Sequence, residues 1–412
     1  TLVYVEGDDA SIVAYHALGR NSQLQPPYSP YLSMLDAVLG MLPPRENVVR
    51  QSGMILTAVS APLFFYFMML LAFDWCNDVR RCSKWMLVAV MLFAVPEIFY
   101  LAMVLTPSLI AMTILVGAHL IIRHATVRTA IPDWRKFAAS LLLFGIGAAF
   151  RWDTVSYGAT IAADLFLRSG NQSEHQPAAK HRLLLSVAWG ILAGISWLIV
   201  LNFNGWSPEA VLRAILTHGP VESFDWKLGL ARAQPFFTPG FAVLSAIGFY
   251  VLVRRKHPLA FVSVVALFAI GRFVLYGVPK WFITATPSWL ACAVYGFCLI
   301  SQQLKLRYVT LCLLVLPWLF GIHWLSGGTA WGPGFELQPY HHIAKSSSTP
   351  SVILEAGMAI PTPEGPRPFF GHGWVLLGEW KPFVNEYALE QETAVLKAID
   401  AGAPLLLDEQ GQ

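Results

Sequence analysis

Runs of about twenty apolar residues, separated by short stretches carrying Arg and Lys, recur along most of this chain. A helix of that length rises about 30 Å, the thickness of a bilayer's hydrocarbon core. Within that core every backbone polar group needs a partner in the protein, so only helices and closed barrels cross it. Continuous apolar runs, rather than alternating ones, select the helix. Of 412 residues, 56% are hydrophobic and 13% charged, against about a quarter charged in soluble domains. The sequence therefore describes an all-α polytopic membrane protein.

Clear spans cover Ser52–Phe73, Leu183–Leu201, Phe236–Val253, Leu259–Tyr276, Trp281–Ile300 and Tyr308–Leu325. Two longer tracts, Trp85–Ile122 and Phe137–Leu167, each read as a pair of short helices, giving about ten crossings. The loops Asp74–Lys84, Arg123–Lys136, Arg168–Arg182, Arg254–His257 and Ser301–Arg307 hold 15 Lys and Arg. The alternate connections hold five: Arg151, Arg213, Lys227, Arg232 and Lys280. The positive-inside rule makes the first set cytoplasmic, and the sequon Asn171-Gln172-Ser173 then faces inward and stays unglycosylated.

Residues 1–51 form a first extracytoplasmic loop and 52–325 the transmembrane domain, in which 202–235 is an extracytoplasmic interfacial loop. Residues 326–412 form a small extracytoplasmic α/β segment, with a helix expected over Glu386–Ala401 and a strand at Leu405-Leu406-Leu407. A further membrane helix before Thr1 and more chain after Gln412 are expected. None of the five cysteines falls in an outer loop, so no disulfide framework is expected. The net charge of +3 sits mainly in short loops and implies no nucleic-acid partner.

Polar breaks mark where chemistry is expected. Phe137–Phe150 is too short to span and stops at Arg151-Trp152-Asp153, and Trp85–Val95 halts at Pro96-Glu97. Such breaks persist at membrane depth only where protein or a water-filled cavity satisfies them, which implies a funnel open to the outside. Ionisable groups within the spans read as confined to outer ends. Arg272, near the outer end of its span, is costly there and marks function. The first loop adds the acidic run Glu6-Gly7-Asp8-Asp9. Cations that grip a lipid phosphate, with a carboxylate that activates a hydroxyl, suit group transfer at a bilayer boundary. Asp8 and Asp9 also fit a helix N-cap, and Arg151 and Lys280 also fit ordinary headgroup anchors.

In the order of these motifs the chain resembles the GT-C superfamily of polyprenyl-phosphate-sugar-dependent glycosyltransferases. It is most similar to dolichyl-phosphate-mannose–protein mannosyltransferases and bacterial lipid A aminoarabinose transferases. The resemblance rests on Gly7-Asp8-Asp9-Ala10 followed by Tyr15-His16-Ala17-Leu18, and on Gln25-Pro26-Pro27-Tyr28. Phe150-Arg151-Trp152-Asp153, Pro279-Lys280-Trp281-Phe282 and Thr286-Pro287 complete it. It covers about Val5–Leu325. Asp9 stands where many relatives have Glu, and Lys280-Trp281 where Arg-Tyr is frequent.

The resemblance implies an inverting transfer from a polyprenyl-phosphate sugar to a glycan, lipid or protein acceptor. Asp8, or Asp9 as second choice, would be the catalytic base. Arg151, Lys280 and Arg272 would hold the donor phosphate. Tyr15, Pro26, Pro27, Tyr28, Glu97, Trp152, Asp153 and Trp281 would line the pocket. No metal site is assigned; a divalent cation, Mg²⁺ or Mn²⁺, would find oxygen ligands among Asp8, Asp9, Glu97 and Asp153. A bacterial inner membrane with a periplasmic active site is the expected location. A catalytically silent GT-C-like scaffold subunit is the competing reading, and a transporter the third.

Overall fold

The computed structural model describes residues 34–43, 46–76, 107–126, 133–167, 179–203, 239–270 and 279–301, some isolated positions, and the backbones of short C-terminal strands. The chain divides into two compact units, residues 1–54, 103–106 and 323–412, and residues 55–102 and 107–322. The helices are α1 (Met34–Gly40), α2 (Glu46–Trp75), α3 (Pro107–Thr126), α4 (Trp134–Phe150), α5 (Tyr157–Leu167), α6 (Ala179–Phe203), α7 (Pro239–Arg254), α8 (Pro258–Ala269) and α9 (Thr286–Ile300). One 3-10 turn, Trp152–Ser156, joins α4 to α5; a second, Pro279–Thr284, precedes α9.

In the first unit a strand at Ser351–Leu354 pairs in parallel with Leu405–Leu407 and antiparallel with Leu376–Leu377. Ala359–Thr362 and Gly365–Pro368 form a separate antiparallel pair. A strand is present at Leu405–Leu407; the helix expected over 386–401 lies outside the described residues.

The second unit is a helical assembly with an apolar exterior. Gln51–Trp75, Pro107–Thr126 and Ala179–Phe203 are long and apolar enough to cross a membrane. On α6, Leu184, Val187, Ile191, Ile195 and Ile199 recur at helical spacing and are exposed, as a face turned to lipid requires. The protein is an integral membrane protein.

Lipid supplies no hydrophobic drive between helices, so their contacts rest on small residues and interhelical hydrogen bonds. Helix α4 packs against α3 and α6, α5 against α6 and α8, and α9 against α7 and α8. At the α7–α9 crossing, a Cβ on Gly248 would collide with the Cys292 carbonyl, and one on Gly296 with that of Leu244. Hydroxyls and indoles bridge other contacts. Ser196 Oγ donates to the Leu141 carbonyl (2.9 Å) and Ser186 Oγ to that of Ala162 (2.7 Å). Trp189 Nε1 donates to Ser140 Oγ (3.0 Å), and Trp289 Nε1 to the Ser263 carbonyl (3.1 Å).

The helix boundaries and the cysteines depart from the sequence expectations. Phe137–Leu167 is a broken pair of helices, as read, but its first arm begins earlier, at Trp134, because Asp133 accepts from the Arg135 N–H and caps it. Trp281–Ile300, read as one span, is a 3-10 turn followed by a 15-residue helix, with Pro287 opening that helix. The cysteines are not all thiols: Cys76, Cys292 and Cys312 are free, whereas Cys298 is disulfide-bonded.

Candidate functional site

Helix length sets the depth of the site. Helix α5 has 11 residues, α8 has 12 and α9 has 15. At 1.5 Å per residue they rise about 17, 18 and 22 Å, short of a core of about 30 Å. One end of each adjoins a basic loop: Arg168–Arg182, Arg254–His257 and Ser301–Arg307 respectively. The opposite ends of α5 and α9 meet the 3-10 turns.

The first turn forms because its sequence competes with the helix. Arg151 is extended (φ −154°, ψ 116°) and ends α4. Its carbonyl accepts from the Thr154 N–H (3.1 Å) and hydroxyl (2.5 Å). Ser156 Oγ donates to the Asp153 carbonyl at 2.9 Å. Asp, Thr and Ser stabilise such breaks by offering the backbone local partners. Arg151 Nε donates to Asp153 Oδ1 at 2.8 Å, and the two side chains are 10% and 2% exposed. Trp152, between them in sequence, is buried as well.

The second turn begins at Pro279. The two 3-10 turns touch each other, and both touch α3. The fold thus brings the turn Pro279–Thr284, which includes Lys280 and Trp281, to the turn Trp152–Ser156 from a distant part of the sequence. The side chains of Lys280 and Trp281 lie outside the described residues, as do Asp8, Asp9, Tyr15, Pro26, Pro27, Tyr28, Glu97 and Arg272. Among the described residues no group of three or more His, Cys, Asp or Glu could hold a metal ion. Of the oxygen ligands expected for a divalent cation, only Asp153 falls among them.

A second polar cluster, absent from the sequence reading, lies toward the basic-loop ends of α2, α3 and α5. Asp164 accepts from Trp75 Nε1 (2.8 Å), pairs with His119 Nε2 (2.9 Å) and is ion-paired with Arg123 Nη1. His119 Nδ1 meets Tyr157 Oη at 3.0 Å. Arg123 Nη2 donates to the Asp74 carbonyl at 3.0 Å. His119, Asp164 and Tyr157 are buried. Ionisable groups within the spans are therefore not confined to outer ends. The signal that could have found them is the seven-residue spacing of Tyr157 and Asp164, which puts two polar groups on one face of an apolar helix.

Next to this cluster, His257 caps α8: its Nδ1 accepts from the Leu259 N–H at 3.2 Å. Burial lowers its pKa below the ordinary histidine value, against the raising effect of a hydrogen bond to the Trp75 backbone. The neutral ring is the form that caps.

No protein-family model matches the chain, and no curated protein matches it. Among solved structures, the crystal structure of ArnT from Cupriavidus metallidurans in the apo state aligns at 13% identity with a TM-score of 0.46. The alignment covers 71% of this chain and 55% of that one. This chain spans about half the length of that protein, and a likeness of this size leaves the family open.

Proposed function

We propose that the protein is a membrane glycosyltransferase of a bacterial inner membrane. It takes a sugar from a polyprenyl-phosphate donor on the extracytoplasmic side and passes it, with inversion, to an acceptor hydroxyl. The observation that carries this reading is the Arg151–Asp153 ion pair, its carboxylate buried and its guanidinium partly so, at a helix break against which the turn Pro279–Thr284 packs. A lipid-linked phosphate needs cations at such a break, reachable from the bilayer. Soluble substrates do not.

In this mechanism Arg151, Lys280 and Arg272 hold the donor phosphate, and Asp153 orients the Arg151 guanidinium through Nε. Asp8, with Asp9 as second choice, takes the proton of the acceptor hydroxyl as its oxygen attacks the anomeric carbon. The bond to the phosphate oxygen breaks as the new glycosidic bond forms. Phosphate leaves as an anion, so electrostatic clamping replaces a general acid. Tyr15, Pro26, Pro27, Tyr28, Glu97, Trp152 and Trp281 shape the pocket.

The test is transfer from polyprenyl-phosphate sugars in proteoliposomes by the wild type and by Asp8→Asn, Asp9→Asn and Arg151→Gln. Loss of a catalytic base costs about 10²–10⁴-fold. Full activity in both Asp variants overturns the assignment of the base.

A further inference from the structure

Tyr157 and Asp164 lie two helical turns apart on α5, so their side chains leave the same face. That face meets His119 of α3, whose ring nitrogens reach Tyr157 Oη (3.0 Å) and Asp164 Oδ2 (2.9 Å). Asp164 is held again by Trp75 of α2 and by Arg123 of α3. An 11-residue helix has little stability of its own, and an apolar face alone sets its register weakly. The two-point clasp sets it strongly. A shift of one residue along α5 would carry both groups off His119 and leave a buried carboxylate misplaced against Arg123. Fixing register is the best-attested use of buried polar groups.

The Tyr157 end of the clasp is also the end of the first 3-10 turn. The Tyr157 N–H donates to the Thr154 and Val155 carbonyls, so whatever fixes Tyr157 fixes the turn carrying Arg151 and Asp153. We propose that the Tyr157–His119–Asp164–Arg123 chain positions this turn, setting the depth and rotation at which the Arg151 guanidinium is presented. Its functional consequence rests on the proposed phosphate-holding role of Arg151; its structural consequence does not.

The experiment compares wild type, Tyr157→Phe, His119→Gln and the double variant in nanodiscs by amide hydrogen exchange. Peptides covering 151–157 and 240–254 are followed, with polyprenyl monophosphate binding measured on the same samples. Tyr157→Phe keeps the ring and its packing, and His119→Gln keeps a donor toward Asp164. Each removes the hydrogen bond between them, worth about five- to tenfold in local opening. The expected result is about five- to tenfold faster exchange at 151–157 in each single variant, about the same in the double, and no change at 240–254. Unchanged exchange at 151–157, or an equal rise in both segments, overturns the proposal. Faster exchange at the turn with unaltered polyprenyl monophosphate affinity upholds the positioning and removes Arg151 from the phosphate site instead.

Discussion

Removing the carboxylate of Asp153 distinguishes a dry ion pair from a solvated one. At the observed 2.8 Å the two charges attract by about 6 kcal/mol at an effective dielectric of about 20. Desolvation offsets much of that, and breaking a buried pair from one side costs about 3–5 kcal/mol because a charge is left uncompensated. A solvated pair is worth only about 0–1 kcal/mol. Asp153 is buried and Arg151 partly so, with side-chain exposures of 2% and 10%, which puts this pair nearer the first class. Asp153→Ala is therefore expected to lower unfolding stability by about 3–5 kcal/mol. Asp153→Asn, which keeps an acceptor for Nε, should lose less. Adding Arg151→Gln to Asp153→Asn removes both charges and should recover part of the loss seen in Asp153→Ala, since no charge is then left without its opposite. Equilibrium unfolding in mixed micelles measures all three. A loss below about 1 kcal/mol for Asp153→Ala refutes the reasoning, because it puts the pair in water.

Other expectations follow from single contacts. Gly248→Ala forces a Cβ against the Cys292 and Gly296 backbones and should cost about 1–3 kcal/mol. Gly190→Ala meets nothing within 4 Å and should be neutral or stabilising by up to about 1 kcal/mol; thermal unfolding of both variants checks the contrast. His257 has a folded pKa below its unfolded value, so the folded state binds fewer protons and stability is full above the unfolded value. It is lost as pH falls from there through the folded value. A melting temperature that falls below pH ~6.5 in wild type, but less in His257→Asn, is expected. The charged groups acting on this ring are Arg123, Asp164 and Arg255. Asp164→Ala leaves Arg123 without its closest carboxylate and should reduce folded yield more than Tyr157→Phe, as size-exclusion profiles would show.

Among the described residues the long helices are legible in the sequence because lipid imposes one strong rule, and apolar runs report it directly. The break at Arg151-Trp152-Asp153 is legible too, since its charged residues stop the apolar tract that begins at Phe137. The Asp153 partnership is not, because a pattern of outer-side charges does not say which of them pair. Asp164 and His119 escape for a different reason. They are 45 positions apart on different helices, and the seven-residue spacing of Tyr157 and Asp164 marks a face of α5 without naming its partner. The early start of α4 depends on the Asp133 cap, which hydrophobicity alone does not register. The approach of the Lys280 segment to Arg151 depends on tertiary packing of two breaks, at which motif order only hints.

The central claim is that a lipid-linked phosphate is held at the Arg151 turn. The most direct measurement is a cryo-EM structure in nanodiscs containing a polyprenyl-phosphate sugar. The account predicts continuous lipid density from the bilayer to the turn, with the phosphate within hydrogen-bond distance of Arg151 and Lys280 and the sugar facing Asp8 or Asp9. A phosphate bound away from both cations, or a protein segment filling the approach to them, would contradict it.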